Sequence, residues 1–195
     1  CRQRGQSPGA TTSMNLRDLP LDPALVTPAV RPRAHFLLAH PAHAIALGFG
    51  CGLSPVAPGT VATAWAWLAF LLMQSLLAAA MVGTVVLVTV PIGWWASTVT
   101  ARNLRSPDPG PIVIDEIMSF WLVLWVFMPA GWAGQLCAFV LFRLFDTLKP
   151  GPIGWIDTLF HRYGFGWRGA LGVLLDDLAA AFCTLLVLAI WRFHA

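Results

Sequence analysis

Apolar positions in this chain are grouped into long blocks, and the polar positions into short links between them. The blocks run over residues 60–79, 81–100, 112–128, 131–147 and 172–191. "AAAM" follows the first, "SPDPGP" the second and "PAGWAG" the third, while "KPGPIGW" opens a long polar stretch after the fourth; such Gly/Pro clusters end helices. A helix of about 20 apolar residues, rising about 1.5 Å per residue, spans a hydrocarbon core of roughly 30 Å. The third and fourth blocks are short for that task. The pattern predicts an all-α, polytopic membrane bundle of about four to five short transmembrane helices, with re-entrant or interfacial segments on the cytoplasmic side.

Ahead of the first block, "HFLLAHPAHAIALGFG" at 35–50 is amphipathic but interrupted by Pro41. It is expected to lie at the membrane interface, with its histidines interfacial and not ligands. Residues 1–34 form an Arg- and Pro-rich arm without periodicity, expected to be disordered and to hold that end in the cytoplasm. Residues 1–13 precede the first methionine, Met14, and are left out of the fold; 35–195 make the membrane-embedded domain. The first apolar run lacks the small-residue cleavage pattern of a secretory signal.

Composition agrees with a membrane protein: 57% of the 195 residues are hydrophobic, 11% are charged, and ten are tryptophan. The four cysteines form no CxxC pair, so neither a disulfide framework nor a zinc site is expected. A net charge of +3 is too small to argue for a nucleic-acid partner. Cys137 and Arg143 have the C-x5-R spacing of a cysteine phosphatase, but the intervening "AFVLF" is bulky and helical, whereas a phosphate cradle needs exposed backbone N–H groups.

The charges change the picture. With the N-terminus inside, the links near 80 and 130 fall outside and carry no charged residue, and Arg192 alone sits at the outer ends. Basic residues are held inside by topology, but carboxylates contribute little to orientation. Yet Asp108, Asp115, Glu116, Asp146, Asp157, Asp176 and Asp177 all fall on that inner face. "DE" at 115 and "DD" at 176 have a structural explanation as acids in the first turn of helices, worth about 0.3–1 kcal/mol against the dipole. Asp146 does not, because it closes the fourth block, where the dipole disfavours an anion. Arg143, one turn earlier, is a candidate partner, but ionisable groups at membrane depth usually mark function. Five carboxylates gathered at one rim need a cation, and oxygen-only ligands select a hard ion such as Mg²⁺. Neighbouring residues on a helix point about 100° apart, so one acid of each pair is expected to ligate and the other to serve as base or support.

Two further stretches suit an anion beside a metal. "GFGCGLSPVAPGT", residues 48–60, leads glycine-rich backbone and the hydroxyls of Ser54 and Thr60 into a helix start, where free N–H groups bind anions; a re-entrant turn or cap explains the same composition. In "FRLFDTLKPGPI", residues 142–153, Arg143 and Lys149 bracket Asp146. They are membrane anchors on one account and phosphate ligands on the other.

Together with "IVIDE" at 112–116, the "D-x-x-x-H" of Asp157 and His161, and "LLDDLAA" at 174–180, these stretches resemble the phosphatidylglycerophosphatase A family over roughly residues 47–181. The chain departs from the family pattern at Ala62 and Thr63, where glycine and serine usually follow "PGT", and at Ser119, in place of a glycine. The segment from His161 to Asp176 is also longer, with "RYGFGWRGALG" in place of a paired-glycine loop. The resemblance implies a Mg²⁺-dependent phosphomonoesterase acting on an anionic phospholipid, phosphatidylglycerophosphate, at the cytoplasmic face of a bacterial inner membrane. In that light Asp115, Glu116, Asp146, Asp176 and Asp177 are expected to hold the metal and carry catalysis. Thr60, Arg143, Lys149, Ser54 and His161 are expected to meet the phosphate. The rival class is a small transporter or channel component that binds a cation at these acids; their place at one face rather than at mid-membrane argues against it.

Overall fold

A computed structural model describes residues 32–104, 110–149 and 167–194. Among the described residues every regular element is helical and no strand occurs. Two short helices, α1 (Ala34–Ala39) and α2 (Pro41–Ala46), lead into a 3₁₀ segment, Gly48–Leu53, and then α3 (Pro58–Leu76), α4 (Ala79–Leu104), α5 (Ile114–Phe127), α6 (Trp132–Leu148) and α7 (Trp167–His194). The predicted N-terminal arm lies outside the described residues apart from its last three positions, and so do Asp108, Asp157 and His161.

Proline and glycine punctuate these elements as expected. Pro58 opens α3 at a position whose missing N–H costs nothing. Helix α5 stops at Phe127 because Met128 is extended, the conformation favoured before a proline such as Pro129. Pro41 separates α1 from α2, with His40 Nδ1 accepting from the Ala42 N–H at 3.1 Å.

Among the described residues three helices are long and apolar enough to cross a membrane: α3, α4 and the Gly169–Phe193 part of α7. The expected count of four to five is not confirmed, and the length of the third apolar block bears on it. At 14 residues, α5 is about 21 Å long at 1.5 Å per residue, well short of a roughly 30 Å core. It is instead the central element. Ile117, Met118, Ser119, Phe120, Val123 and Leu124 are all buried, and α5 packs against α3, α4, α6 and α7. Protein surrounds most of this continuous apolar run, while Trp125 and Val126 stay exposed.

The 35–50 stretch is tied into the fold through His43. His43 is buried, stacked on Phe36 with ring centroids 4.0 Å apart. Its Nδ1 lies 3.0 Å from the Phe36 carbonyl oxygen and its Nε2 2.8 Å from Asn103 Nδ2. Both ring nitrogens are thus used within the fold, and His43 acts as a tie between α2 and the end of α4. His35 and His40 remain exposed.

Helix α4 approaches α5 through glycines. A Cβ on Gly83 would meet the Trp125 ring at 2.6 Å, and one on Gly93 would collide with the Met118 sulfur. Small residues at helix contacts let apolar helices pack closely where lipid offers no hydrophobic drive. Gly83→Val is therefore expected to destabilise the detergent-solubilised protein by about 1–3 kcal/mol through overpacking. Gly131→Ala, where a Cβ meets nothing within 4 Å, should leave the thermal unfolding midpoint nearly unchanged.

Candidate carboxylate site at one end of the bundle

The first turn of α3, the first turn of α5 and the last turn of α6 meet at one end of the bundle. The glycine-rich stretch brings them there. A Cβ on Gly52 would collide with the Pro111 carbonyl, and the Val113 N–H donates to the Ala46 carbonyl at 2.9 Å. Gly48, at φ +56°, packs against Ile117 and Val113. These contacts dock the 48–53 backbone onto the residues immediately before Asp115. Ser54, which ends this stretch, donates its hydroxyl to the Val56 carbonyl at 2.8 Å and so stabilises a local turn.

Gly59 closes the approach. A Cβ there would occupy the place of the Glu116 carboxylate and sit 3.0 Å from Arg143 Nη2. Only hydrogen at this position lets an acid of α5 and a guanidinium of α6 lie against the opening turn of α3. The Thr63 hydroxyl donates to the Gly59 carbonyl at 2.8 Å, so threonine in place of the usual serine keeps the hydroxyl that steadies this turn. Thr60, next to Gly59, is exposed. Sequence reasoning passed over Gly59 as one glycine among several; its place between Pro58 and Thr60 at a helix start was the available signal.

The acids converge as follows. Arg143 Nη1 donates to Glu116 Oε1 at 3.2 Å and to Asp146 Oδ2 at 2.6 Å. Asp177 is buried and lies in electrostatic range of Asp115, Asp146 and Glu116. Asp115 is 4% exposed, and its Oδ1 accepts from the Glu116 N–H at 3.1 Å. Asp176 pairs with Lys149. Neighbouring residues of a helix point about 100° apart; here Asp177 lies in range of the cluster acids and Asp176 meets a lysine.

Position along α7 decides how these two acids are read. The helix begins at Trp167, well before the expected start near 172, so Asp176 and Asp177 lie more than two turns inside it. Both are buried. The helix-dipole explanation, which needs the first turn, does not apply to them; it survives for Asp115 and Glu116, which do open α5.

Lys149 carries a second sign of constraint. It closes α6 in the left-handed region, at φ 43° and ψ 56°, where glycine is the usual residue because a Cβ costs roughly 1–2 kcal/mol. The turn holds the lysine where its ammonium meets Asp176, and the ion pair offsets the conformational cost.

Among the described residues no group of three or more His, Cys, Asp or Glu side chains has the spacing of a ready metal cage. The chemistry of the donors nevertheless suits a hard divalent cation. Every donor is oxygen, and Glu116 Oε2 is buried without a hydrogen-bond partner, an acceptor that a cation would meet.

A sequence profile of the family described as phosphatidylglycerophosphatase A matches residues 44–192. The chain belongs to the phosphatidylglycerophosphatase A family. A phosphatidylglycerophosphatase A of Escherichia coli strain K12 is 32% identical over 148 residues, 76% of this chain and 81% of that protein. One of Haemophilus influenzae is 33% identical over 160 residues, 82% of this chain and 94% of that protein. No solved structure matches the chain. The family match takes in the glycine-rich stretch, all five site carboxylates, Arg143 and Lys149.

Arg143 and Glu116 are each less than one-fifth exposed, so removing one partner should leave an uncompensated charge. In metal-free buffer Arg143→Met is expected to cost about 3–5 kcal/mol, the usual range for breaking a buried pair. Arg143→Met combined with Glu116→Gln should cost less than Arg143→Met alone. Chemical denaturation of the four proteins of the cycle checks this, and additive losses would show that the two groups do not interact.

Proposed function

We propose that the protein is a Mg²⁺-assisted phosphatidylglycerophosphatase, which removes the terminal phosphate of phosphatidylglycerophosphate at the cytoplasmic face of a bacterial inner membrane. The products are phosphatidylglycerol and inorganic phosphate. One observation carries this reading beyond family membership: Glu116 and Asp146 meet on Arg143, directly against the opening turn of α3, with Asp177 in electrostatic range of both acids.

Asp115, Glu116, Asp146 and Asp177 would hold the metal, with Asp176 beside them on Lys149. When bound, Mg²⁺ supplies the charge that neutralises the phosphoryl oxygens during transfer. The chain's own residues do the remaining work. The first N–H groups of a helix have no partner within it, and Gly59 and Thr60 present theirs at the start of α3 toward the anion. Thr60 and Arg143 orient the phosphate from the two sides of that turn, and Lys149 adds positive charge at the rim. A cluster carboxylate takes the proton of the attacking water and returns one to the departing glycerol oxygen. The acyl chains stay with the lipid-facing surfaces of the long apolar helices, so the headgroup alone reaches the acids.

Two measurements test this. The purified protein is expected to release phosphate from phosphatidylglycerophosphate with Mg²⁺ and to stop when the metal is chelated. Asp146→Asn should lower the rate by at least about 100-fold, at the upper end of the effect of weakening a metal's support. Full activity in that variant would remove Asp146 from the site. No release by the intact protein, together with metal-dependent ion flux into liposomes, would favour the transporter class. Gly59→Val should separate Glu116 from Arg143 and lower kcat about 100-fold, the scale set by misplacing catalytic groups by about 1 Å. Its far-ultraviolet circular dichroism should stay helical, and undiminished kcat would show that the close approach at Gly59 is dispensable.

A further inference from the structure

Arg143 holds two acids with a single nitrogen. Nη1 serves both Glu116 and Asp146, while Nε is buried without any hydrogen-bond partner. A guanidinium is a planar fork whose strongest use is a pair of parallel bonds to one carboxylate or one phosphate. Here the fork goes unused, and one nitrogen stands as a point of positive charge between two carboxylates. That is the task of a metal ion. The acid side of the contact is incomplete in the same way, since Glu116 Oε2 is also buried and unbonded. An unused donor and an unmet acceptor in one ion pair describe a partner that fills the position without fitting it.

We propose that Arg143 is a placeholder cation. It neutralises Glu116 and Asp146 until a divalent cation displaces it, and the freed fork then takes the phosphate. This rests on the metal-assisted reading above. The path is short, because Nη2 already lies against the first turn of α3, 3.0 Å from where a Cβ on Gly59 would stand. Rotation about the side-chain bonds carries the fork from the acids to that turn without moving a helix. Arginine suits the role because it stays charged at every relevant pH, so the converging acids never face one another uncompensated. The consequence is an order of events: metal binds first, and phosphate second.

The test uses the full chain in detergent, with Mn²⁺ and inorganic phosphate as probes. In calorimetric titration without phosphate, Arg143→Gln is expected to bind Mn²⁺ about tenfold more tightly than the unaltered protein, a typical coupling between competing sites. The same variant should lose phosphate binding in the presence of Mn²⁺. Equal or weaker Mn²⁺ binding by a helical, monodisperse Arg143→Gln protein would overturn the proposal. A second measurement needs no variant. Phenylglyoxal modification of Arg143, located by mass spectrometry, should speed up when Mn²⁺ is added and slow again when phosphate follows. Modification that Mn²⁺ leaves unchanged or slows would overturn the proposal whether or not the variant folds. Failure of the unaltered protein to bind Mn²⁺ would bring down the metal-assisted reading and this one together. Exchange as described, with no phosphate released from phosphatidylglycerophosphate, would support the placeholder role and overturn the substrate assignment alone.

Discussion

The end of the bundle is organised by one guanidinium. Arg143 of α6 reaches Glu116 of α5 and Asp146 one turn along its own helix, and the space for this contact exists because Gly59 of α3 has no side chain. Without a cation at that point, the acids of three helices would repel across a region of low dielectric, where unpaired charge is most costly. The packing that buries α5 and the electrostatics that gather the acids are therefore one constraint: the helices converge only as closely as the cluster can be neutralised.

That constraint explains features that look unrelated. The left-handed Lys149 at the end of α6 places a second cation against Asp176, so each of the two neighbouring acids of α7 meets a separate partner. The glycines at 48 and 52 dock the loop onto the residues that open α5. Their service is steric, fixing where the first turn of α3 sits relative to the acids, and the resulting alignment is what the proposed phosphate chemistry requires.

The short central helix illustrates what a local pattern leaves open. From its composition, "IDEIMSFWLVLWVF" is indistinguishable from a marginal membrane span, because hydropathy records that a residue avoids water and not whether lipid or protein replaces it. Its burial by four neighbouring helices supplies the answer. His43 is a similar case: its Pro-interrupted amphipathic run does not name its partners, which are the Phe36 carbonyl at Nδ1 and, at Nε2, Asn103 some sixty positions away.

Hydrophobic blocks, breakers and the one-sided distribution of acids were enough to indicate an all-helical membrane protein, and five short motifs in order were enough to indicate its family. These are local or compositional signals, carried by each segment independently of its neighbours. The partner of each acid was not legible, because ion pairing joins residues such as Glu116 and Arg143, 27 positions apart, whose separation depends on helix crossing and on a missing side chain at Gly59. Tertiary structure also decided that α7 starts early enough to place the buried Asp176 and Asp177 well inside it. Sequence names the groups that must be neutralised; only the close packing of helices selects which cation neutralises which acid.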